Sequence, residues 1–423
     1  MKETNEEKTE QKQNGNKTDK SLSGTDAEKG VWEKAKAEIG FPMVIKPANQ
    51  GSSIGITIFN EDSNSHFMAA VEKAFFTKWL DSGEWKKLSE KEQIDYVRSL
   101  SDIREGIGMP IKIDLGLVSS SDSDSYRNEN KEVVIFYNQY ELISFLNNNS
   151  DKTEGFVLEA LDGESTVIIE GFIEGKEFSC IVLEDTDSNN VAIALPPTEI
   201  RKGKELFDYR SKYLPGLSRK ITPIEVSDEQ INAIRKECER LFSELCFDVY
   251  ARIDGFLSTD GKVFLNDPNT TSGMMPSSFF FHQAAEIGLT PSQFLTYIIR
   301  TSLSKRIKNS KGASVYEPLL NKLDTFLHNE KNAINNKIPV AVILGGYSSE
   351  RHISVESGRN IFEKLASSEK YAPIPVFLTG DNANHLMYQI PINALLKDNA
   401  DDIKDNDPEI QDYLSTMLAR PAK

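Results

Sequence analysis

The sequence predicts a mixed chain in two parts: an α+β body over 31–303 and the opening of a parallel, doubly wound α/β domain from 338. Three observations carry this. Asp228–Leu245 has the spacing of an amphipathic helix. It leads into Val249–Leu257 and Val263–Leu265, two strand-like runs around the turn Thr259-Asp260-Gly261. Val340–Leu344 is a short, wholly apolar strand, followed by the turn Gly345-Gly346 and a helical pattern over Ser354–Leu365, the start of a βαβ unit. The 423 residues allow two to three domains, at roughly 100–200 residues each.

In chain order, residues 1–30 are almost wholly polar and are expected to be a disordered tail, because they bury too little apolar surface to offset ordering entropy. A helix is expected over Val31–Ile39 and a strand over Met43–Ile45. Phe67–Leu100 shows helical periodicity through Val71, Phe75, Trp79 and Leu80, and the polar run Ser119–Asn130 is a loop. The strand Val133–Tyr137 and a helix around Tyr140–Leu146 follow. Val167–Ile169 and Glu177–Leu183 read as strands flanking the turn Glu174-Gly175, and Phe279–Ile287 and Pro291–Leu303 as helices. Residues 304–337 form a Lys/Asn-rich connector with one short helix. The stretch 338–423 is expected to be the first part of its domain, since such a domain needs about 100 residues or more.

The chain carries 65 acidic and 49 basic residues, a formal charge of −16. This opposes a nucleic-acid binder, whose footprint is basic, but leaves room for a local phosphate pocket. No run of 18 apolar residues and no signal-peptide core are present, so the expectation is a soluble, cytoplasmic protein without membrane contact. The three cysteines show no CxxC spacing; Cys238 and Cys246 fall in the helical pattern and read as small buried hydrophobes.

Three segments carry candidate chemistry. In Lys46-Pro47-Ala48-Asn49-Gln50-Gly51-Ser52-Ser53-Ile54-Gly55 a strand delivers a Lys and a loop of small residues follows. Small residues let backbone N–H groups approach an anion, and the Lys adds a point charge; alone, the segment is equally a hairpin. In Ile168-Ile169-Glu170-Gly171-Phe172-Ile173 and Gly175-Lys176-Glu177-Phe178, apolar residues and acids at a strand end suit a base and ribose pocket; alone, this is equally an edge strand with solvated acids. Arg252-Ile253-Asp254 and Asn266-Asp267-Pro268-Asn269 lie on the two hairpin strands, so Asp254, Asp267 and Asn269 are expected to converge as hard oxygen ligands; alone, the second run is equally a turn. Gly273-Met274-Met275-Pro276-Ser277-Ser278 could clamp a carboxylate or simply start a helix.

Taken together, FPMVIKPANQGSSIGI, VIIEGFIEGKEF, YARIDGFL, FLNDPNTTSGMMPSS and EIGLTPSQFL resemble the ATP-grasp half of the D-alanine–D-alanine ligase family, over about 40–302. AVILGGYSSERHISVESG, at Ala341–Gly358, resembles the opening of the same family's N-terminal domain. The resemblance implies an ATP-grasp fold, two α+β subdomains sandwiching ATP, followed by the start of a Rossmann-like α/β domain. It implies ligation of two D-alanines for peptidoglycan precursor synthesis, with ATP and Mg²⁺ (or Mn²⁺), through an acyl phosphate. By the resemblance, Lys46 contacts ATP phosphate, and Ser52 and Ser53 lie in the loop covering it. Glu170 and Glu177 hold adenine and ribose, with Phe172 and Ile173 at the hinge. Lys212 and Tyr213 belong to a mobile loop that closes over phosphate. Arg252 stabilises the oxyanion of the tetrahedral intermediate, and Asp254, Asp267 and Asn269 bind the metal. Gly273 and Ser278 bind substrate, Ser278 taking the carboxylate of the second alanine. Glu350 binds the ammonium of the first, with Ser354 near it; read alone, GGYSSE is a strand–turn–helix with Glu350 in the first helical turn.

Several features depart from the family pattern. The N-terminal-type segment comes last, which implies a fragment of a tandem of two ligase-like units or a rearranged ligase. About 60–160 contains a large insertion, and Asp267 stands where the family usually has Glu. The partners expected are small molecules, a second copy in a homodimer, or a second ligase-like unit. A catalytically inactive ATP-grasp fragment or regulatory nucleotide-binding unit is the alternative, and D-alanine, D-lactate and D-serine all remain open as second substrate.

Overall fold

The computed structural model describes residues 16–19, 25–51, 53–115, 133–185, 191–202, 218–274, 278–309, 313–333, 336–381, 383–397 and 400–403. The chain forms two compact units: Met1–Ile173 with Lys202–Ser218, and Glu174–Arg201 with Arg219–Lys423.

The first unit begins with β1 (Asn16–Asp19) and α1 (Thr25–Glu38), then β2 (Met43–Pro47), β3 (Thr57–Phe59) and α2 (Asn64–Phe75). An ordered strand and a helix beginning at Thr25 lie inside the stretch 1–30 that polarity predicts to be unstructured. The backbone of β1 pairs antiparallel with β8 (Thr166–Gly171) along its edge, Asn16 opposite Ile169, so the ladder satisfies its backbone polar groups whatever the polarity of the segment. The sheet order is β1-β8-β2-β3. Met43, Ile45, Val167 and Ile169 point to one face, where Trp32, Phe67 and Val71 of α1 and α2 close the core. Period-two alternation sends Val44, Lys46 and Glu170 to the opposite face, where Val44 lies directly across from Glu170.

Within this unit the helical run expected over Phe67–Leu100 is broken. Phe76 takes the left-handed conformation at φ 55 and caps α2. The chain then enters β4 (Thr77–Asp81), α3 (Ser82–Lys87), α4 (Glu90–Ser101), β5 (Ile111–Asp114), β6 (Val133–Phe136), α5 (Gln139–Asn149) and β7 (Gly155–Ala160). Asp81 and Ser89 each stop one run and start the next: Asp81 accepts from Glu84 N–H, and Ser89 forms a reciprocal capping box with Glu92. The second sheet, β4-β7-β5-β6, is antiparallel throughout. Its own core contains Trp85, Val97, Ile111, Ile113, Leu142, Leu146, Phe156 and Leu158. This subdomain is inserted between α2 and β8 and spans Thr77–Ala160.

The second unit contains β9 (Gly175–Asp185), β10 (Val191–Ala194), β11 (Thr198–Lys202), β12 (Ser218–Ile221), α6 (Asp228–Glu244), β13 (Tyr250–Ser258) and β14 (Val263–Asn269). The sheet runs β12-β11-β9-β13-β14, with β10 also on β9. The strands expected either side of Glu174-Gly175 thus belong to two different sheets. From Phe178 to Glu184 every residue of β9 is buried, as befits a central strand covered on both faces. Phe178, Cys180 and Val182 pack on Ile234, Cys238 and Phe242 of α6. Ile181 and Leu183 pack on Phe280, Ala284 and Phe294 of α7 (Phe279–Glu286) and α8 (Pro291–Asn309). Cys238 is buried as expected; Cys246 is exposed, because α6 ends at Glu244 and the chain turns at Cys246 with φ 54.

A 17-residue helix, α9 (Glu317–Ala333), fills half of the connector, where only a short helix is expected. Then β15 (Ile338–Gly345), α10 (Arg351–Ala366) and β16 (Tyr371–Gly380) form the expected parallel βαβ unit, extended by β17 (His385–Gln389) antiparallel to β16 and by the short α11 (Ile392–Leu395). Gly358 lets α10 lie on β15: a Cβ there would sit 2.5 Å from Leu344 Cβ.

Candidate functional site

In the first unit, Lys46 Nζ meets Glu170 Oε1 at 2.6 Å on the face away from the helices. The two residues predicted for phosphate and for base and ribose are therefore drawn together by the β2–β8 register. The following loop is set by an acid that the sequence does not advertise. Glu164, 7% exposed, accepts from Asn49 N–H and from Asn49 Nδ2, each at 3.0 Å. Ser53 adopts φ 58 and Gly55 φ 75. At Gly55 a Cβ would lie 2.7 Å from Pro47 Cγ, so this glycine serves close packing. Ser52 lies outside the described residues. Phe172 is held by its N–H to Pro42 C=O at 3.0 Å, and Ile173 is the last residue before the chain passes to the second unit.

In the second unit the hairpin carries the densest polar group. Arg252 lies opposite Asn269 and Asp254 opposite Asp267, and a bulge beyond Asp254 shifts Gly255 to Leu265. Residues two apart share a face, so Arg252, Asp254, Asp267 and Asn269 stand on one side of the sheet, as their spacing predicts. The bulge preserves that alignment where the strand otherwise slips by one. Gly255 permits it, since a Cβ there would meet Phe264 C=O at 2.4 Å.

Arg252 grips Asp254 in a fork: Nε to Oδ1 at 3.0 Å and Nη2 to Oδ2 at 2.8 Å. Its Nη1 donates to Ser272 Oγ at 2.7 Å, and Ser179 Oγ donates to Asp254 Oδ1 at 2.7 Å. Ser179 and Ser272 are site residues that sequence reasoning missed. Ser179 comes opposite Asp254 through the β9–β13 register, which no local sequence pattern announces. Gln283 fixes that stretch of β9: its Oε1 accepts from Ile181 N–H at 2.9 Å and its Nε2 donates to Ser179 C=O at 2.8 Å. Burial pushes the Asp254 carboxyl above the ordinary carboxylate range; Arg252 and Ser179 pull it back, and the neighbouring charge of Asp267 adds to the rise. Lys220 and Arg252 both lie over the Phe279 ring, at 5.4 and 6.0 Å from its centroid.

Among the described residues no group of three or more His, Cys, Asp or Glu side chains could hold a metal ion. The donors available are two carboxylates directly across the strands, Asp254 and Asp267, and the Asn269 amide. Mg²⁺ characteristically takes one or two carboxylates and completes its shell with phosphate and water oxygens, so this set fits a nucleotide-bound metal rather than an all-protein cage.

Gly273 is exposed and open to solvent, with nothing within 4 Å of a Cβ. Ser278 is the N-cap of α7, yet its side chain makes no capping bond. Its Oγ is buried and has no hydrogen-bond partner among the described residues, an arrangement that calls for an external acceptor. Glu177 is half-buried on β9 opposite Phe256. Glu350 is exposed at the start of α10; its N–H donates to Ser348 Oγ at 3.3 Å and its C=O accepts from Ile353 and Ser354. Ser354 Oγ accepts from Gly345 N–H at 3.1 Å, tying the helix to the end of β15. Lys212 and Tyr213 lie outside the described residues. No helix among the described residues is long and apolar enough to cross a membrane.

Comparison with known proteins bears on this arrangement directly. A family model described as the D-ala D-ala ligase C-terminus matches residues 20–78 and 145–300, about half of the chain, and one described as the D-ala D-ala ligase N-terminus matches 339–418. The gap in the first match falls on the inserted subdomain. The D-alanine–D-alanine ligase B of Clostridium perfringens is 31% identical over 152 residues, covering 36% of this chain and 48% of that protein. The D-alanine–D-alanine ligase of Halalkalibacterium halodurans is 33% identical over 152 residues, covering 35% and 48%. The solved VanG D-Ala:D-Ser ligase from Enterococcus faecalis aligns with a TM-score of 0.41 and 20% identity over 67% of this chain and 55% of that chain. The chain spans about half the length of the two curated relatives. The strand–loop–strand bearing Lys46, the β9–β13–β14 sheet bearing the Arg252 cluster and the βαβ unit bearing Glu350 all fall within the matched residues, and on that ground the chain belongs to the D-alanine–D-alanine ligase family, with its ATP-grasp fold.

Proposed function

We propose that this chain is an ATP-dependent carboxylate–amine ligase that joins two D-alanines for peptidoglycan precursor synthesis through an acyl phosphate. The observation that carries the reading is the single-faced set Arg252, Asp254, Asp267 and Asn269, with the buried Ser278 hydroxyl at the start of α7, which has no hydrogen-bond partner among the described residues. Phosphoryl transfer asks for positioning and charge neutralisation more than covalent chemistry, and this set offers both. Asp254, Asp267 and Asn269 would hold Mg²⁺ or Mn²⁺, which when bound neutralises the charge on the ATP phosphates. Lys46 and the backbone around Ser52 and Ser53 would hold those phosphates, Lys46 exchanging Glu170 for them. Glu170, Glu177, Phe172 and Ile173 would hold adenosine, and Lys212 and Tyr213 would close over the phosphates.

Arg252 is already aimed by Asp254 and Ser272, so it needs little reorganisation to receive negative charge developing on the carbonyl oxygen as the second amine attacks. Ser278 Oγ and the open backbone at Gly273 would bind the carboxylate of that second alanine. Glu350 would receive the ammonium of the first.

The test is ADP release from ATP and Mg²⁺ with and without D-alanine. The reading requires turnover that depends on D-alanine. Arg252→Ala should lower that turnover by about 10²–10³-fold, the usual effect of losing one oxyanion donor, with ATP affinity nearly unchanged. Undiminished turnover in the variant removes Arg252 from the role, and ATP binding without turnover in the parent chain supports the inactive nucleotide-binding alternative.

A further inference from the structure

Nothing in the ligase reading requires the Glu350-bearing domain to meet the ATP-grasp sheet of its own chain, because the family's two halves stand here in inverted order. We infer that residues 391–397, with Ala400 and Asp401, are a docking strap that holds this domain on the α7 face in cis, so that Glu350 serves the Arg252–Ser278 subsite of the same chain. The functional half of this inference rests on the ligase proposal; the docking half stands on the contacts alone.

The strap is gripped from both sides. Toward the ATP-grasp body, Leu396 is 2% exposed and packs in one cluster with Ile181, Leu195, Phe280 and Phe294. Ile392 packs against that cluster and also against the core of the C-terminal domain, so one side chain bridges the two. Asn393 Nδ2 donates to Glu286 Oε2 at 3.2 Å, and Lys397 Nζ donates to Thr222 C=O at 2.9 Å with Glu286 Oε1 at 3.8 Å. Toward its own domain, Arg359 of α10 holds Leu395 C=O at 3.0 Å through Nε and Lys397 C=O at 2.6 Å through Nη2.

Ala400 and Asp401 meet the first turn of α10. Arg351 Nε donates to Asp401 Oδ1 at 2.8 Å, and Ala400 N–H donates to His352 Nδ1 at 3.3 Å. Glu350 is the next residue. The same short segment therefore ties the helix start that presents Glu350 to the last residue of α7, the helix that Ser278 N-caps. A buried leucine with paired polar contacts at its edge is the anatomy of a specific interface. The connector makes closure intramolecular, and the effective concentration of a tethered partner exceeds that of a free second chain.

Docking and function are tested separately. In a Cys246→Ser background, Glu286→Cys with Asn393→Cys is treated with a short bis-thiol crosslinker. The inference expects a crosslinked monomer whose yield is unchanged by about 100-fold dilution. A dimeric product, or none, overturns docking in cis. Lys397→Glu should raise the KM for D-alanine by about tenfold or more while ATP affinity stays within about twofold, and Glu286→Lys added to it should restore much of the loss. An unchanged KM in Lys397→Glu, or no rescue, overturns the functional half. Absence of turnover in the parent chain instead removes the ligase reading, and the crosslink still decides the docking.

Discussion

At the scale of single residues, the site depends on backbone positions as much as on charged side chains. Gly55 is the clearest case. It sits at φ 75 with Pro47 Cγ and Phe76 Cζ 2.7 and 3.0 Å from where a Cβ would stand, so Gly55→Ala must both strain the backbone and displace a ring. The expected cost is about 1–3 kcal/mol, read as a lowered denaturant midpoint; a change under about 0.5 kcal/mol, typical of an unconstrained surface site, would show that the loop repacks freely. The small residues of this loop suit anion approach, but the immediate reason for a glycine at 55 is contact with Pro47. Glu164 marks the opposite limit. It fixes Asn49 across a separation of 115 residues, and no local pattern in Asp162-Gly163-Glu164-Ser165 announces such a partner.

At the scale of elements, β11 is held to the body by a charge network around one buried carboxylate. Glu199, 4% exposed, accepts from Arg201 Nε at 2.7 Å and Lys176 Nζ at 3.0 Å, and Arg201 Nη2 reaches Glu225 at 2.7 Å. Burial works to raise the Glu199 carboxyl, but the Arg201 and Lys176 hydrogen bonds and charges outweigh it and hold the group below its ordinary value. A depressed carboxyl stabilises the fold above its unfolded pKa, and that contribution is lost as pH falls through the folded one. Glu199→Gln should therefore lower stability near neutral pH by about 1–3 kcal/mol. The difference from the parent should close as pH falls below about 4; denaturation at two pH values checks both halves, and an equal deficit at both would refute the electrostatic account. Elements with regular period and clear caps were legible: α6 with its Ser227–Gln230 capping box, the β13–β14 hairpin and the βαβ unit at 338–380. The run Phe67–Leu100 was not. Trp79 and Leu80 fit a helical period, but the left-handed turn at Phe76 and the caps at Asp81 and Ser89 divide the run into two helices, a strand and a further helix. Apolar spacing alone cannot separate a strand from a helix over five residues. Cross-strand alignment of Asp254 with Asp267 was legible because both strands follow period two; the support from Ser179 and Ser272 depends on tertiary register.

At the scale of the whole molecule, the inserted subdomain is separable by construction. Its first and last strands, β4 and β7, are direct neighbours, with Thr77 opposite Glu159. Ala160 N–H donates to Phe76 C=O at 3.0 Å, so the chain leaves and re-enters the Lys46-bearing subdomain at nearly one point. The two subdomains also keep separate cores, one around Trp85, Ile113 and Phe156 and the other around Trp32, Ile45 and Phe67. Insertions succeed where the ends lie close, because little loop-closure entropy is then at stake. Replacing 77–160 by a short Gly-containing turn should accordingly leave a cooperatively folding protein. Its denaturant slope should fall in proportion to the surface removed, and ATP affinity should stay within about threefold, since a change under about 0.7 kcal/mol corresponds to that factor. Phe76, which is 2% exposed, and Ile54 both pack with the inserted core; excision uncovers them, and Phe76→Ser should accompany the deletion to avoid an exposed aromatic ring. Loss of cooperative unfolding in the trimmed chain with that substitution would mean that the inserted subdomain is part of the folding unit of the Lys46 sheet. Retained folding with ATP affinity lowered more than tenfold would mean that it acts on the loop over 48–55, whose Ile54 packs against the inserted core.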